Sequence, residues 1–271
     1  MRHQQFIIVS IVALCAGLLL LSYASHRVET PDDPQALGQS TQGGSFLGAL
    51  AGGQLIKDDK GRFSYYLDGE LQSRFGIDVS VHQGSIDWQA VAADGVEFAI
   101  IRIGYRGATE GNLYVDTHYE ENIRGAAQAG IQTGVYFFSQ AINMREAREE
   151  AEFVLQHLGG RQLDYPIAFD HERVPEIDGR ANRITGAQIS RYAEAFFQII
   201  EEAGYEVLLY GNKGDLNRLD NSLLDSHDLW YAEYEVASPS FNRDILIWQY
   251  SSHGHVNGIP NRTDLNIHFL P

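Results

Sequence analysis

Two carboxylates separated by one residue, Asp170 and Glu172 in the segment YPIAFDHER, are the side chains here best suited to acid–base chemistry. Their apolar lead-in, Pro166-Ile167-Ala168-Phe169, reads as a buried strand. Side chains alternate along a strand, so both acids project to one side, about 7 Å apart if the strand stays extended. Two further acids fall near strand-like runs, Asp78 in FGIDVSVHQG and Asp264 at the opening of DLNIHF. Acids crowded into a partly dry site push one another's pKa values apart. One then stays protonated near neutrality as a general acid while others remain ionised. Glycosidic bond cleavage calls for that division of labour. The spacing falls between the retaining and inverting ranges and leaves the stereochemistry open. A lone D-x-E on a strand is often a salt-bridged rim; the coincidence with Asp78 and Asp264 favours chemistry.

Aromatic and amide side chains gather near the same strand ends. Tyr136, Phe138, Gln140, Tyr210, Trp230, Tyr234 and Gln249 are candidates for stacking on, or hydrogen-bonding to, a sugar. Alternation groups Tyr136, Phe138 and Gln140 on one face without deciding which face is inward. Arg102 lies inside the apolar run FAIIRIGY and cannot be buried unpaired. One of the site acids is its expected partner, which adds Arg102 to the binding set. Asp94, Asp116 and Asp228 read as solvated surface acids or rim contacts. His82, His118 and His171 stand beside acids and invite a metal reading. No H-x-x-x-H or H-E-x-x-H pair occurs, however, and His171 should point away from its flanking acids, so no metal ligands are expected. There is also no G-x-S-x-G elbow, phosphate-binding loop or catalytic-cysteine context.

The elements that must hold these residues follow from hydrophobic patterning. Strand-like runs cover 75–81, 97–105, 132–140, 165–171 and 206–212. Helical patterns follow the first four at 87–94, 117–130, 143–158 and 185–203, and a shorter one follows the fifth at 214–219. DLWYAEY, ILIWQYS and DLNIHF then come with no long helix between them. Five strand–helix units and three bare strands suggest an α/β fold, a closed parallel-type barrel of eight strands modified in its last third. An open doubly wound sheet is the alternative, but no G-x-G-x-x-G follows the first strand. The barrel spans 73–271. Before it, 46–72 holds a small hairpin around the turn Asp58-Asp59-Lys60-Gly61; its aromatic-Asp-Gly ending looks like a wall-binding repeat unit, but a plain structural hairpin is preferred. Residues 25–45 read as a flexible linker.

Residues Phe6 to Tyr23 carry no charge and are about long enough to span a bilayer. Residues 1–24 are thus either a signal anchor or a cleaved signal peptide, and the length of the run favours the anchor. Arg2 ahead of it places the rest of the chain outside the cytoplasm, membrane-anchored or secreted. The 271-residue chain carries a net charge of −16, which argues against nucleic acid as a partner but not against a largely neutral glycan. Its single cysteine, Cys15, permits no intrachain disulfide.

Taken in order, FGIDVSVHQGSIDWQAV, EFAIIRIGYRG, GVYFFSQAIN, YPIAFDHE, LLYGN, IWQYSSHGHVNGI and TDLNIHF resemble the glycoside hydrolase family 25 lysozymes, the N-acetylmuramidases. The resemblance runs from about 75 to 270 and implies a modified TIM-like (β/α)5(β)3 barrel. It implies cleavage of the β-1,4 bond between N-acetylmuramic acid and N-acetylglucosamine in peptidoglycan, without a cofactor, by a protein expected to be a monomer. It also implies Glu172 as general acid/base, Asp170 as its partner steadying the substrate's 2-acetamido group in a substrate-assisted retaining reaction, and Asp78 and Asp264 at the floor of the site. An inactive glycan-binding module is the alternative function.

Overall fold

The structure is a computed structural model that describes residues 52–270. The apolar run at 6–23, the linker at 25–45 and the first residues of the hairpin segment lie outside the described residues. Among the described residues no helix is long and apolar enough to cross a membrane.

Eight strands close into a barrel: β4 (Ser73–Val79), β5 (Phe98–Arg106), β7 (Gln132–Phe138), β8 (Ile167–Asp170), β9 (Val207–Asn212), β10 (Leu229–Ala232), β11 (Ile247–Gly254) and β12 (Thr263–Phe269), with β4 pairing β5 to complete the ring. Helices α1 (Trp88–Ala93), α2 (Tyr119–Gln128), α3 (Met144–Leu158) and α4 (Gly186–Glu202) follow the first four strands. Two short helices, α5 (Lys213–Leu216) and α6 (Asn221–Ser226), follow the fifth. Local chemistry sets the helix ends. Asn143 caps α3 by accepting from the Glu146 N–H, and α3 stops at left-handed Gly159; Thr185 and Gln188 form a capping box on α4. An additional strand, β6 (Leu113–Val115), pairs antiparallel with β5 outside the ring.

The last third of the ring departs from a regular parallel barrel. The ring strands β4, β5 and β7 through β11 run parallel, but β12 is antiparallel to both of its neighbours. The start of β12 therefore lies at the rim where the other strands end, which is where barrel enzymes assemble their chemistry.

Alternation sorts side chains into two layers. Val135, Phe137, Phe169, Trp248, Leu265 and Ile267 face outward into the main core, against the helices or their substitutes. Phe98, Ile100, Tyr165, Ala168, Leu208, Trp230 and Ile247 fill the barrel interior. Among the described residues no helix covers the last strands, and a three-stranded sheet of β1 (Gly53–Lys57), β2 (Phe63–Leu67) and β3 (Glu70–Leu71) takes that place. Phe63 packs 5.0 Å from the Trp248 ring and 5.1 Å edge-on to Tyr250, and Tyr65 meets Phe269 at 5.7 Å. Its first turn forms where expected: Asp58 accepts the Lys60 and Arg62 N–H groups, and Gly61 supplies the positive φ of 79°. The sheet and barrel belong to one compact unit.

Candidate active site

With Ile77 and Val79 facing out, Asp78 between them points into the barrel near the end of β4. Its Oδ2 accepts hydrogen bonds from the Gln249 amide at 2.7 Å and the Asn266 amide at 2.8 Å. Both amides are held in that orientation from behind. Trp230 Nε1 can only donate and does so to Asn266 Oδ1 at 2.8 Å. The Tyr210 and Tyr234 hydroxyls both donate to Gln249 Oε1, at 2.9 and 2.8 Å. Opposite Asp78 in the β4–β12 register stands Asp264, and the two carboxyls hydrogen-bond. Burial pushes Asp78 up, but the amide donors limit the rise to about 6. Burial and the neighbouring Asp78 charge push Asp264 well above the carboxylate range, while the amide donors hold Asp78 lower.

The second pair sits across the barrel. Asp170 is the last residue of β8, is 4% exposed, and its Oδ1 has no hydrogen-bond partner. Strand geometry ends there, so Glu172 lies in the following loop, half-buried, and its carboxyl hydrogen-bonds to Asp170. The extended-strand spacing of about 7 Å does not apply, because the chain leaves the strand one residue too early. Burial, then the charges of Asp215 and Asp78, raise Glu172 to about 7. Burial and the adjacent Glu172 push Asp170 well above its ordinary value. His171 points away from both acids, packed against Phe169 on the helix side, and burial lowers it to about 4.

Arg102 does not pair with any of the four acids. Its Nε and Nη2 both reach Asp116 Oδ2 at 2.7 Å, and Asp116 also accepts the Val81 and His118 N–H groups. Asp116 is therefore a buried partner of Arg102 and not a solvated acid. Asp94 is likewise tied down, by Lys60, Arg62 and Asn257, whereas Asp228 is exposed. With Arg102 engaged elsewhere, the four acids have no bonded counter-charge among the described residues, and burial dominates their proton affinities.

The eight residues expected to bind sugar divide in two. Tyr136, Phe138 and Tyr210 are half-buried and Tyr234 is 41% exposed, all on the strands or loop around the acids. Arg102, Gln140, Trp230 and Gln249 are buried behind them. Trp230, 1% exposed with Tyr136 and Tyr210 edge-on to it, is the floor of the site and not a stacking face. Gln140 donates to the Glu172 carbonyl at 2.8 Å and so fixes the loop that carries this acid. Among the described residues no group of three or more His, Cys, Asp or Glu could hold a metal ion.

Sequence reasoning missed Asn266 and Asp215. Asn266 could have been found, since it lies two residues after Asp264 and alternation puts both on one face. Asp215 sits in α5, 3.5 Å from Arg218, and nothing in its local pattern points to a site.

Residues 77–259 match the model of glycosyl hydrolases family 25. The chain is 33% identical over 193 residues to an autolytic lysozyme of Clostridium acetobutylicum, covering 70% of this chain and 54% of that protein. It is 28% identical to lysozyme M1 of Streptomyces globisporus, over 70% of this chain and 66% of the relative. It therefore spans only about half to two-thirds of these relatives. A bacterial lysozyme of Streptomyces coelicolor shares the fold with a TM-score of 0.62 at 26% identity, over 71% of this chain and 90% of that one.

Proposed function

Because the chain belongs to glycosyl hydrolases family 25, we propose that it is a muramidase that cuts peptidoglycan at the β-1,4 bond between N-acetylmuramic acid and N-acetylglucosamine. The observation that carries this reading is the hydrogen-bonded Asp170–Glu172 pair at the barrel mouth, with Glu172 near 7. A carboxyl with that affinity is protonated at mildly acid to neutral pH and can give its proton to the departing glycosidic oxygen.

The same contact bears on the second half of the reaction. Carboxyls that touch each other do not bracket a sugar ring in the way a two-carboxylate displacement requires. Asp170 is better placed to accept the N–H of the substrate's 2-acetamido group while that group's oxygen attacks the anomeric carbon. Glu172, now deprotonated, then takes a proton from the water that opens the cyclic intermediate, and the configuration is retained. Asp78 and Asp264, under their amide clamp, form the polar floor; Tyr136, Phe138, Tyr210 and Tyr234 offer ring faces and hydroxyls to the sugars. A peptidoglycan substrate puts this work outside the cytoplasm.

The test is release of reducing ends from purified peptidoglycan by the full chain and its Glu172→Gln variant. Cleavage by the wild type and loss in the variant is expected. Equal activity of the two would remove Glu172 from its role, and binding without cleavage by either would make the protein a glycan-binding module. Product analysis by NMR during the first turnovers distinguishes retention from inversion.

A further inference from the structure

One row of side chains leaves the acid pair sideways along the barrel rim. Asp170 is the register partner of Phe138 on β7, Phe138 of Tyr105 on β5, and Tyr105 of Tyr114 on β6. Register partners project to one face. Neighbouring strands lie about 4.8 Å apart, so the row extends roughly 14 Å from Asp170, further than one sugar ring.

Plain alternation would not aim Tyr105 into this row. Arg102 faces the interior, so Gly104 should too, followed by Arg106. A register shift between Arg102 and Gly104 intervenes. Ile103 is buried in the outer core, and a side-chain carbon on Gly104 would meet Phe153 at 3.0 Å and Phe137 at 3.4 Å, also outside. Two successive residues thus face outward, Tyr105 returns to the Arg102 side, and its ring lies 5.4 Å from that guanidinium. A bulge beside an active site commonly re-aims a side chain in this manner.

Tyr114 extends the row onto the strand that lies outside the ring. Its ring stacks on Tyr105 with centroids 5.2 Å apart and planes 26° from parallel, yet Tyr114 is 41% exposed. The loop leading to it is pinned: Arg106 donates to the Gly111 carbonyl at 2.7 Å, and Arg180 N–H to the Ala108 carbonyl at 2.8 Å. An exposed aromatic face on an ordered edge, continuous with a row that begins at a catalytic acid, is what a pyranose ring stacks upon.

We propose that Tyr114, backed by Tyr105, is a distal subsite that stacks on a sugar ring of an extended glycan strand, beyond the sugars flanking the cleaved bond. The subsite rests on the glycan-cleaving reading above, and deepens it: the protein prefers long strands to short fragments. A rival role, Tyr114 as a mere cover for the Tyr105 edge, predicts loss of stability without regard to substrate length.

The full chain with Tyr114→Ala and Tyr114→Trp separates these. kcat/KM is measured on solubilised long glycan strands and on a short fragment that reaches only the sugars beside the scissile bond. Tyr114→Ala should lower the long-to-short ratio about fivefold, chiefly through KM, and Tyr114→Trp should restore it. Equal losses on both substrates, or no loss on long strands, would overturn the subsite. Binding of long strands to Glu172→Gln, with and without Tyr114→Ala, answers the question even if the wild type cuts nothing. Weaker binding on removing Tyr114 supports the subsite when the cleavage reading has failed, and unchanged binding rejects it.

Discussion

Asp78 and Asp264 stand directly opposite each other across the antiparallel pair β4–β12 and share one proton, while two clamped amides donate to Asp78 alone. The two acids are therefore not equivalent. Asp264→Asn keeps a donor toward Asp78, whereas Asp78→Asn keeps its oxygen under the Gln249 and Asn266 donors and turns its NH2 against the protonated Asp264 carboxyl. Asp78→Asn should cost about 1–3 kcal/mol more stability than Asp264→Asn, because it leaves a buried donor unsatisfied. Urea unfolding midpoints of the two variants check this; equal midpoints would mean the proton does not reside on Asp264.

Glu172→Gln should lower kcat about 10²- to 10⁴-fold, and wild-type kcat/KM should fall as pH rises past about 7. The pKa of Glu172 in the folded protein lies above its ordinary value of 4.5, so the folded state favours the protonated form. That stabilising contribution is complete below 4.5 and lost as pH rises through about 7. Glu172→Gln should thus match the wild-type Tm in acid and exceed it at about pH 8. Thermal scans across that range decide the point, and a variant no more stable at the alkaline end would contradict the burial argument.

Gln140 hydrogen-bonds Glu172 at its backbone carbonyl, not at its carboxyl. Gln140→Ala should loosen the loop without removing a group that meets substrate. A misplacement of this kind costs up to about 10²-fold, so kcat should fall by roughly that factor while KM changes little. A rise in KM with kcat preserved would instead assign Gln140 to substrate binding.

The small sheet should matter for stability and not for chemistry. Phe63 is 6% exposed and wedged against Trp248 and Tyr250. Phe63→Ala should cost about 3–5 kcal/mol by leaving a cavity. Activity per folded molecule, measured well below the unfolding transition, should stay near wild type. Were the sheet a wall-binding unit instead, the variant would lose binding to insoluble wall while keeping its stability.

Much of this protein is determined locally and could be read from the chain. Hydrophobic period placed all eight ring strands and the helices that follow the first four of them close to their observed positions, and alternation put Tyr136 and Phe138 on one face of β7, which ends before Gln140. Three features depended on contacts distant in sequence. Arg102 had several acids to choose from, and only the packing of β6 and the following loop put Asp116 against it. Asp170 and Glu172 share a face in an extended strand, but β8 ends between them, so their contact is set by a loop held through Gln140. Asp264 begins its strand, which in a parallel barrel is the wrong end for chemistry. Strand direction leaves no mark on a two-residue repeat; it is chosen by which edges pair when the ring closes, and antiparallel β12 brings Asp264 up to Asp78.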